Sequence, residues 1–316
     1  MTSYVGTDVG KASVVVAVHG QPGVTVVANT RTALRGWARC LPAGSRIGVE
    51  ATGVYHREVV AAAQAAGHTV YLLNPRDVRH YAQAVGRRAK TDRVDAQLIA
   101  RYVAQEHAGL RPYRAPSARQ AAIATLLERR HAVVKAQASL RQALQDLPVG
   151  ISAWRRVQRD FAALLAQLDA RLNQLAAEEA PVAALRQRLR TTPGIGPLLS
   201  LALANLLSRY SFQRSDALIA FVGYDPRADD SGQHRGRRRL SKRGPAEVRR
   251  LLYAAAMAAA RSKVWQPLYQ QDRQRGLSAT EAIIILARRL ARTAFALARS
   301  GETFDPARVS LACAKP

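Results

Sequence analysis

Two patterns of apolar and polar positions divide the chain into an N-terminal third and a remainder. In the first third, short runs rich in Val or Ile alternate with stretches of helical spacing, one of them at 56–66. The runs that predict strands are 4–7, 13–18, 24–28, 47–50 and 70–73. Strands that alternate with helices are typical of a mostly parallel or mixed sheet flanked by helices. Residues 1–111 are therefore predicted to form an α/β domain.

Beyond residue 111 the apolar residues recur at helical spacing, up to a break at Pro148-Val-Gly and again up to Pro181. In the second stretch, Phe and Leu alternate four and three residues apart at 161, 165, 168, 172 and 175, an a/d heptad pattern. A helical hairpin or coiled-coil arm over 112–190 is the natural interpretation, and an amphipathic helix packed on its own domain explains the pattern equally well. The last predicted domain, 191–316, is mainly α-helical.

Composition indicates the partner rather than the fold. The 316 residues include 48 Lys and Arg against 22 Asp and Glu, a net charge of +26, which favours a polyphosphate partner. Two cysteines exclude a disulfide framework and a multi-Cys zinc site. Without a signal-peptide pattern or an apolar run of about 18 residues, secreted and membrane classes are excluded and a cytoplasmic protein is expected. Anionic lipid is the weaker alternative polyanion.

Acidic residues are scarce in the first domain, and four of them fall at chemically informative places. Asp8 follows the first predicted strand, Glu50 ends a later one, and Asp92 and Asp95 lie at i and i+3 on a predicted helix. Each alone has an ordinary explanation as a turn former, a solvated strand end or a first-turn helix charge. Together they would repel one another unless a cation neutralised them, and two Mg²⁺ ions about 4 Å apart would do so.

Four segments around these acids closely resemble the DEDD transposases of insertion-sequence family one-ten. They are Gly6-Thr-Asp-Val-Gly-Lys, Val49-Glu-Ala-Thr-Gly-Val-Tyr, Asn74-Pro and Lys90-Thr-Asp-Arg-Val-Asp-Ala. The resemblance implies an RNase H-like N-terminal domain, similar to the RuvC Holliday-junction resolvase. It also implies that the four acids are the DEDD quartet and bind Mg²⁺, with Mn²⁺ as the alternative ion. Thr7 replaces a usual apolar residue and is expected to face the strand end.

The segment Thr191-Thr-Pro-Gly-Ile-Gly-Pro, followed by an apolar stretch, suggests a helix-hairpin-helix turn. Its glycines, Gly194 and Gly196, would let backbone amides approach a phosphate next to a helix N-terminus. Taken alone, the motif is better explained as a plain Gly/Pro loop between helices.

A dense basic run, 235–243, holds six Lys or Arg in nine positions. A solvated charged loop is the usual explanation, but so many unbalanced cations repel one another without a polyanion, which favours nucleic-acid contact. With the two turn glycines, the residues predicted to bind nucleic acid are Gly194, Gly196, Arg235, Arg237, Arg238, Arg239, Lys242 and Arg243.

Ser231 on its own is best explained as a turn serine. The resemblance changes that interpretation, because family members carry a Gly-Leu-x-Pro segment, a Ser-Gly pair and a Ser-Lys-x-Gly end. This chain has Val222-Gly-Tyr-Asp-Pro, Ser231-Gly and Ser241-Lys-Arg-Gly at the matching places. The resemblance implies that Ser231 is the nucleophile, and Ser241 is expected to orient backbone or phosphate. Tyr224 and Asp225 depart from the pattern and are expected to stay clear of the key residues.

The resemblance implies a DNA recombinase that cuts and rejoins the ends of an insertion element. It also implies a bridge RNA as guide, a dimer to tetramer, and a nucleoid-associated protein of the bacterial cytoplasm. A metal-dependent Holliday-junction-type endonuclease without a serine intermediate is the alternative. A non-catalytic nucleic-acid scaffold, in which the four acids are incidental, is the third hypothesis.

Overall fold

The computed structural model describes residues 2–51, 55–86, 91–145, 150–227, 230–231, 234–235 and 239–309. The chain forms two compact units, residues 1–115 and 116–316. The domain boundary predicted at residue 111 stays a prediction. Among the described helices, none combines the length and apolarity needed to cross a membrane.

Five strands form the sheet of the first unit: β1 (Tyr4–Val9), β2 (Ser13–Val18), β3 (Val24–Ala28), β4 (Arg46–Glu50) and β5 (Thr69–Leu73). Their order across the sheet is β3-β2-β1-β4-β5. The first three strands pair antiparallel, whereas β4 runs parallel to β1 and β5 runs parallel to β4. The five predicted strands and the mixed sheet are confirmed.

Four helices accompany this sheet: α1 (Arg31–Cys40), α2 (His56–Ala65), α3 (Pro75–Ala84) and α4 (Asp92–Glu106). On one face, Val5 and Ile47 share a core with residues of α1 and α2. On the other face α4 lies across β1, where Gly6 leaves room for the backbone of α4 at Ala96 and Ala100. The helix predicted at 56–66 is confirmed as α2. The close packing of α4 on β1 fixes where the N-terminus of α4 lies.

The second unit begins with a helical hairpin of α5 (Ala118–Ala143) and α6 (Ile151–Ala177). Arg130 forms two hydrogen bonds to Asp169, of 2.5 and 2.9 Å, and Arg119 pairs with Glu178, so the two helices run antiparallel. The hairpin is observed, and its coiled-coil character stays a prediction. Of the heptad residues, Leu172 and Leu175 are buried in the core of this unit, while 161, 165 and 168 are half-buried.

The remaining helices are α7 (Ala180–Arg190), α8 (Pro197–Arg209), α9 (Ser215–Val222), α10 (Ala246–Ala259), α11 (Gln266–Gln274) and α12 (Ala279–Ser300). Leu286 and Leu290 of α12 are fully buried, in a core shared with α5 to α10. The hairpin and the later helices thus share one core. The division into an arm domain that ends at residue 190 and a last domain stays a prediction.

Four two-residue strands interrupt the helices of the second unit: β6 (Pro226–Arg227), β7 (Asp230–Ser231), β8 (His234–Arg235) and β9 (Arg239–Leu240). β6 pairs antiparallel with β9, and β7 pairs antiparallel with β8. The sequence pattern did not indicate these strands, because two-residue strands are too short to show a period of two.

Candidate active site

Asp8 and Glu50 lie at the same edge of the sheet. β1 and β4 are parallel and pair Thr7 with Val49, so the next residue of each strand is an acid at neighbouring positions. Asp8 is the penultimate residue of β1 and Glu50 the last of β4. Because parallel strands end at one edge, this register brings two carboxylates together there.

Asp92 and Asp95 occupy the first turn of α4. The helix begins at Asp92, because the side-chain oxygen of Thr91 caps it by accepting a hydrogen bond of 3.3 Å from the Val94 amide. The two acids share one face of the helix, as predicted. Since α4 lies across β1, this face carries both carboxylates to the strand edge.

The other three predicted acids act electrostatically on Asp8. The pKa of Asp8 is raised from 3.8 to about 6, first by burial and then by the negative charges of Asp92, Asp95 and Glu50. The Asp8 side chain is half-buried, so these charges act through a partly desolvated space. The charges of the other three acids thus act on Asp8 as the predicted convergence requires, and their joint role as a site stays a prediction.

The convergence stops short of a formed metal centre. Within the described ranges, no three His, Cys, Asp or Glu side chains stand close enough to hold one ion jointly. The raised pKa of Asp8 is consistent with that spacing, because Coulomb repulsion acts over longer distances than metal coordination. The four oxygen donors therefore form an acidic cluster that would have to close around a cation.

Thr7 lies differently from its expected position. It is fully buried rather than facing the strand end, and its Oγ1 donates a hydrogen bond of 3.0 Å to the Gly48 carbonyl of β4. The hydroxyl in place of an apolar group is thus satisfied within the sheet. This bond ties β1 to β4 just before their acidic residues.

Ser231 lies in the short β7–β8 hairpin, where its backbone pairs with that of His234. Of the predicted basic residues, Arg239, Lys242 and Arg243 are exposed, and Arg235 lies opposite Asp230 in the same hairpin. Gly232, Arg237 and Arg238 lie outside the described residues. Nucleic-acid contact by this run and the nucleophilic role of Ser231 stay predictions.

Ser241 is a structural serine. It is 4% exposed, its Oγ donates to the Asp225 carboxylate, and it accepts a hydrogen bond of 3.4 Å from the Arg243 amide. This arrangement orients the backbone, one of the two roles expected for it. The sequence predicts only that Tyr224 and Asp225 stay clear of the key residues, and it misses their structural contacts. Tyr224 is 1% exposed and donates its hydroxyl to the Arg249 carbonyl, and Asp225 accepts from Ser241. Their departure from the family pattern was the only available signal.

The glycine-rich turn between α7 and α8 gives its two glycines different roles. Gly194 has φ +92°, and a Cβ there would stand 2.6 Å from the Cβ of Ala259, so packing against α10 requires this glycine. Gly196 is the N-cap residue of α8 and has open space around it. Only Gly196 has the accessibility that phosphate approach needs, and a helix-hairpin-helix element stays a prediction.

Two family models match the chain. A model of DEDD transposases, described as "Transposase", matches residues 5–150, and one described as "Transposase IS116/IS110/IS902 family" matches residues 186–270. Together they cover the acidic cluster and the segment with Ser231.

Individual relatives agree with these matches. The "Pilin gene-inverting protein" of Moraxella bovis is 28% identical over 265 residues, 81% of this chain and 81% of that protein. The "Probable family 20 transposase" of Pseudomonas aeruginosa is 29% identical over 266 residues, 73% of this chain and 75% of that protein. The "Transposase for insertion sequence element IS1111A" of Coxiella burnetii is 27% identical over 223 residues, 61% of this chain and 60% of that protein.

The fold, the acidic cluster and these matches define the class: the protein is an enzyme that acts on DNA, a transposase or recombinase. More narrowly, the chain belongs to the IS110 family of DEDD transposases.

Proposed function

We propose that the protein cuts and rejoins the ends of an insertion element through a phosphoserine link at Ser231, together with a Mg²⁺-binding site of Asp8, Glu50, Asp92 and Asp95. The observation that carries the proposal is the convergence of the four acids: the register of β1 and β4 places Asp8 beside Glu50, and the charges of Asp92, Asp95 and Glu50 add to burial in raising the pKa of Asp8. The strand order β3-β2-β1-β4-β5 supports an RNase H-like domain, in which the acids stand at one sheet edge.

The donor set suits a hard divalent cation. Four carboxylates supply oxygen ligands, which Mg²⁺ and Mn²⁺ prefer, and without a cation the cluster relieves its repulsion by holding Asp8 partly protonated near neutral pH. Such an ion, when bound, would polarise a phosphoryl oxygen. The role of the chain is to present the four carboxylates on two fixed strands and one helix.

Ser231 supplies the covalent step. Its Oγ attacks a backbone phosphorus, the new Oγ–P bond forms, and the bond from phosphorus to one deoxyribose oxygen breaks. The serine proton passes to a base, and the departing deoxyribose oxygen takes up a proton. Attack of another deoxyribose hydroxyl on the phosphoserine reverses these changes and rejoins DNA without an added energy source.

The charge of the protein supports nucleic-acid partners. A net charge of +26 and the exposed Arg239, Lys242 and Arg243 suit DNA ends and a structured bridge RNA. Sequence choice would then reside in RNA pairing, and the protein would hold backbones, as in other guided systems. Because such a reaction joins two DNA partners, a dimer or tetramer is the expected assembly.

The test uses purified protein, Mg²⁺, RNA transcribed from the flanks of its gene, and DNA with the candidate ends. Protein attached to DNA is sought on a denaturing gel for the wild type and for Ser231→Ala, Asp95→Asn and the control Ser208→Ala, whose hydroxyl donates only to the Ala204 carbonyl of its own helix, α8. We expect an adduct that is lost in Ser231→Ala and in Asp95→Asn and retained in Ser208→Ala. Free cut ends unaffected by Ser231→Ala would establish the junction endonuclease instead. Binding without any Mg²⁺-dependent cleavage would favour the scaffold.

A further inference from the structure

The segment that carries Ser231 leaves and re-enters the helical unit at one point. We call residues 225–240 the serine segment. Near its two ends, Pro226 pairs with Leu240 and Arg227 pairs with Arg239. The Ser241 amide, just after the segment, donates a hydrogen bond of 3.0 Å to the carbonyl of Asp225, its first residue. The two ends therefore meet, and whatever fixes this base also fixes the direction in which the segment starts.

The turn that follows, residues 241–244, is called here the basal turn, and it packs backbone against backbone on the end of α9. A Cβ on Gly244 would stand 1.8 Å from the Phe221 carbonyl oxygen, and one on Gly223 would stand 2.2 Å from the Arg243 carbonyl oxygen. The Lys242 amide donates to the Gly223 carbonyl at 3.2 Å. The contact is this close only because both glycines lack side chains.

The side chain of Arg249 joins the C-terminal end of α9 to the basal turn. The Nη1 atom of Arg249, on α10, donates to the Val222 carbonyl of α9 at 3.0 Å and to the Arg243 carbonyl of the basal turn at 3.1 Å. The Tyr224 hydroxyl in turn donates to the Arg249 carbonyl at 2.8 Å. A cation at the C-terminus of α9 is also favoured by the partial negative charge of the helix end.

The basal turn is held in a backbone conformation that its sequence does not favour. Lys242 has φ +52°, and it is the one non-glycine residue with positive φ in the described ranges. Such a conformation persists when the surrounding contacts over-determine it. Here those contacts are the Ser241–Asp225 hydrogen bond on one side and the Arg249 guanidinium on the other.

We propose that Arg249 is a positioning residue: by joining the end of α9 to the basal turn, it holds the base of the serine segment so that Ser231 is presented in one direction. This inference rests on the proposed function, because it requires Ser231 to be the nucleophile. Arg249 does not touch the reacting atoms in this proposal. It acts on the rate of the covalent step rather than on DNA affinity.

The matched control is the adjacent Arg250, also half-buried, whose guanidinium instead binds Glu247 at 2.7 and 2.8 Å. Adduct formation is followed in single turnover with saturating DNA and guide RNA for the wild type, Arg249→Met, Arg249→Lys and Arg250→Met. We expect Arg249→Met to slow the covalent step about 10- to 100-fold, the size of effect typical of a small misplacement. DNA affinity should fall by a smaller factor than the rate, because only Lys242 and Arg243 among the residues proposed to contact phosphates lie in the basal turn.

Arg249→Lys should recover part of the rate, since it keeps the charge but loses the planar fork, and Arg250→Met should match the wild type. Hydrogen exchange supplies a readout that needs no chemistry: the amides of Ser241 and Lys242 should exchange faster in Arg249→Met and Arg249→Lys than in Arg250→Met. The inference is overturned if a folded Arg249→Met reacts at the wild-type rate. It is also overturned if Arg250→Met loses as much rate, or if DNA affinity falls by the same factor as the rate.

The two hypotheses fail in different ways. Absence of an adduct in the wild type overturns the proposed function. Ser231 would then not be a nucleophile, and Arg249 would have none to position. Unchanged exchange at Ser241 and Lys242 shows that the Arg249 hydrogen bonds do not hold the basal turn, which overturns the inference whether or not the wild type forms an adduct. If Arg249→Met does not fold, the rate and exchange of Arg249→Lys decide, because that variant keeps the cation at the helix end.

Discussion

Gly6 of β1 lies directly beneath Ala96 of α4: a Cβ on Gly6 would stand 2.2 Å from the Ala96 carbonyl oxygen. In proteins, Cβ atoms essentially never come within 3.0 Å of a non-bonded heavy atom. Any side chain at this position would therefore push the helix away. The same helix carries Asp92 and Asp95. The contact at Gly6 therefore sets how near these acids lie to Asp8.

Gly6→Ala should destabilise the protein by about 2–4 kcal/mol, because neither backbone can yield without disturbing the sheet. It should also weaken the stabilisation that Mg²⁺ provides. Urea unfolding with and without Mg²⁺ measures both effects. The control is Gly36→Ala, on an exposed site of α1 with open space around it, where about 0.5–1 kcal/mol of stabilisation is expected. A Gly6→Ala protein as stable as the wild type would contradict the close contact.

The metal-free protein should become more stable as the pH falls from 7 to 5. Asp8 has a pKa of about 6 in the folded protein and an ordinary value of 3.8 when unfolded, so the folded state binds its proton more tightly. The resulting stabilisation is complete below pH 3.8 and is lost as the pH rises through 6. Screening at this half-buried site limits the gain to about 1 kcal/mol.

Urea unfolding in EDTA at pH 5, 6 and 7 tests this pH dependence in the wild type and in Asp8→Asn. The variant should lose the Asp8 contribution and be the more stable protein at pH 7, since one of four repelling charges is gone. Glu58→Gln, at an exposed salt bridge with Arg31, should keep the wild-type pH dependence. Equal slopes for the wild type and Asp8→Asn would show that folding does not raise the pKa of Asp8.

Asp272→Ala should cost about 3–5 kcal/mol of unfolding free energy. The Asp272 carboxylate is 1% exposed and pairs with Arg289 of α12 at 3.0 Å, so its removal leaves a cation without its partner in a poorly solvated place. Asp216→Ala is the control: Asp216 also pairs with an arginine of α12, Arg292 at 2.8 Å, but its side chain is 74% exposed. That change should have little effect on urea unfolding, and equal losses in the two variants would contradict the argument.

Neutralising Arg237, Arg238 and Arg239 together with Gln should reduce the salt dependence of DNA binding. Each lost phosphate contact lowers the slope of log K against log salt by about one unit, since fewer counterions are released. The slope is measured by DNA titration between about 50 and 200 mM salt.

The control for this loss of charge removes three cations that already have acidic partners: Arg31, Arg292 and Arg308, paired with Glu58, Asp216 and Glu302. It lowers the count of cations equally and should leave the slope close to that of the wild type. Equal slopes in the two triple variants would show that net charge, rather than the basic run, binds DNA.

Much of the first unit could be predicted from sequence, because its signals are local. Short Val-rich runs and helical spacing depend on neighbours within one turn or one strand, and all five strands appear where the pattern puts them. Asp92 and Asp95 share a helix face because the α-helix repeats every 3.6 residues. The order of the four acids along the chain likewise predicts that they act together, and their role in binding metal stays a proposal.

Only the tertiary structure decided which strands pair, how near α4 comes to β1, and what holds the base of the serine segment. The pairing of Thr7 with Val49 joins residues far apart in the chain, and nothing local specifies it. The contacts of Arg249 are harder still to predict, because its hydrogen-bond acceptors are the main-chain carbonyls of Val222 and Arg243. Every residue has such a carbonyl, so the sequence marks none of them, and only the packing of α9, α10 and the basal turn selects these two.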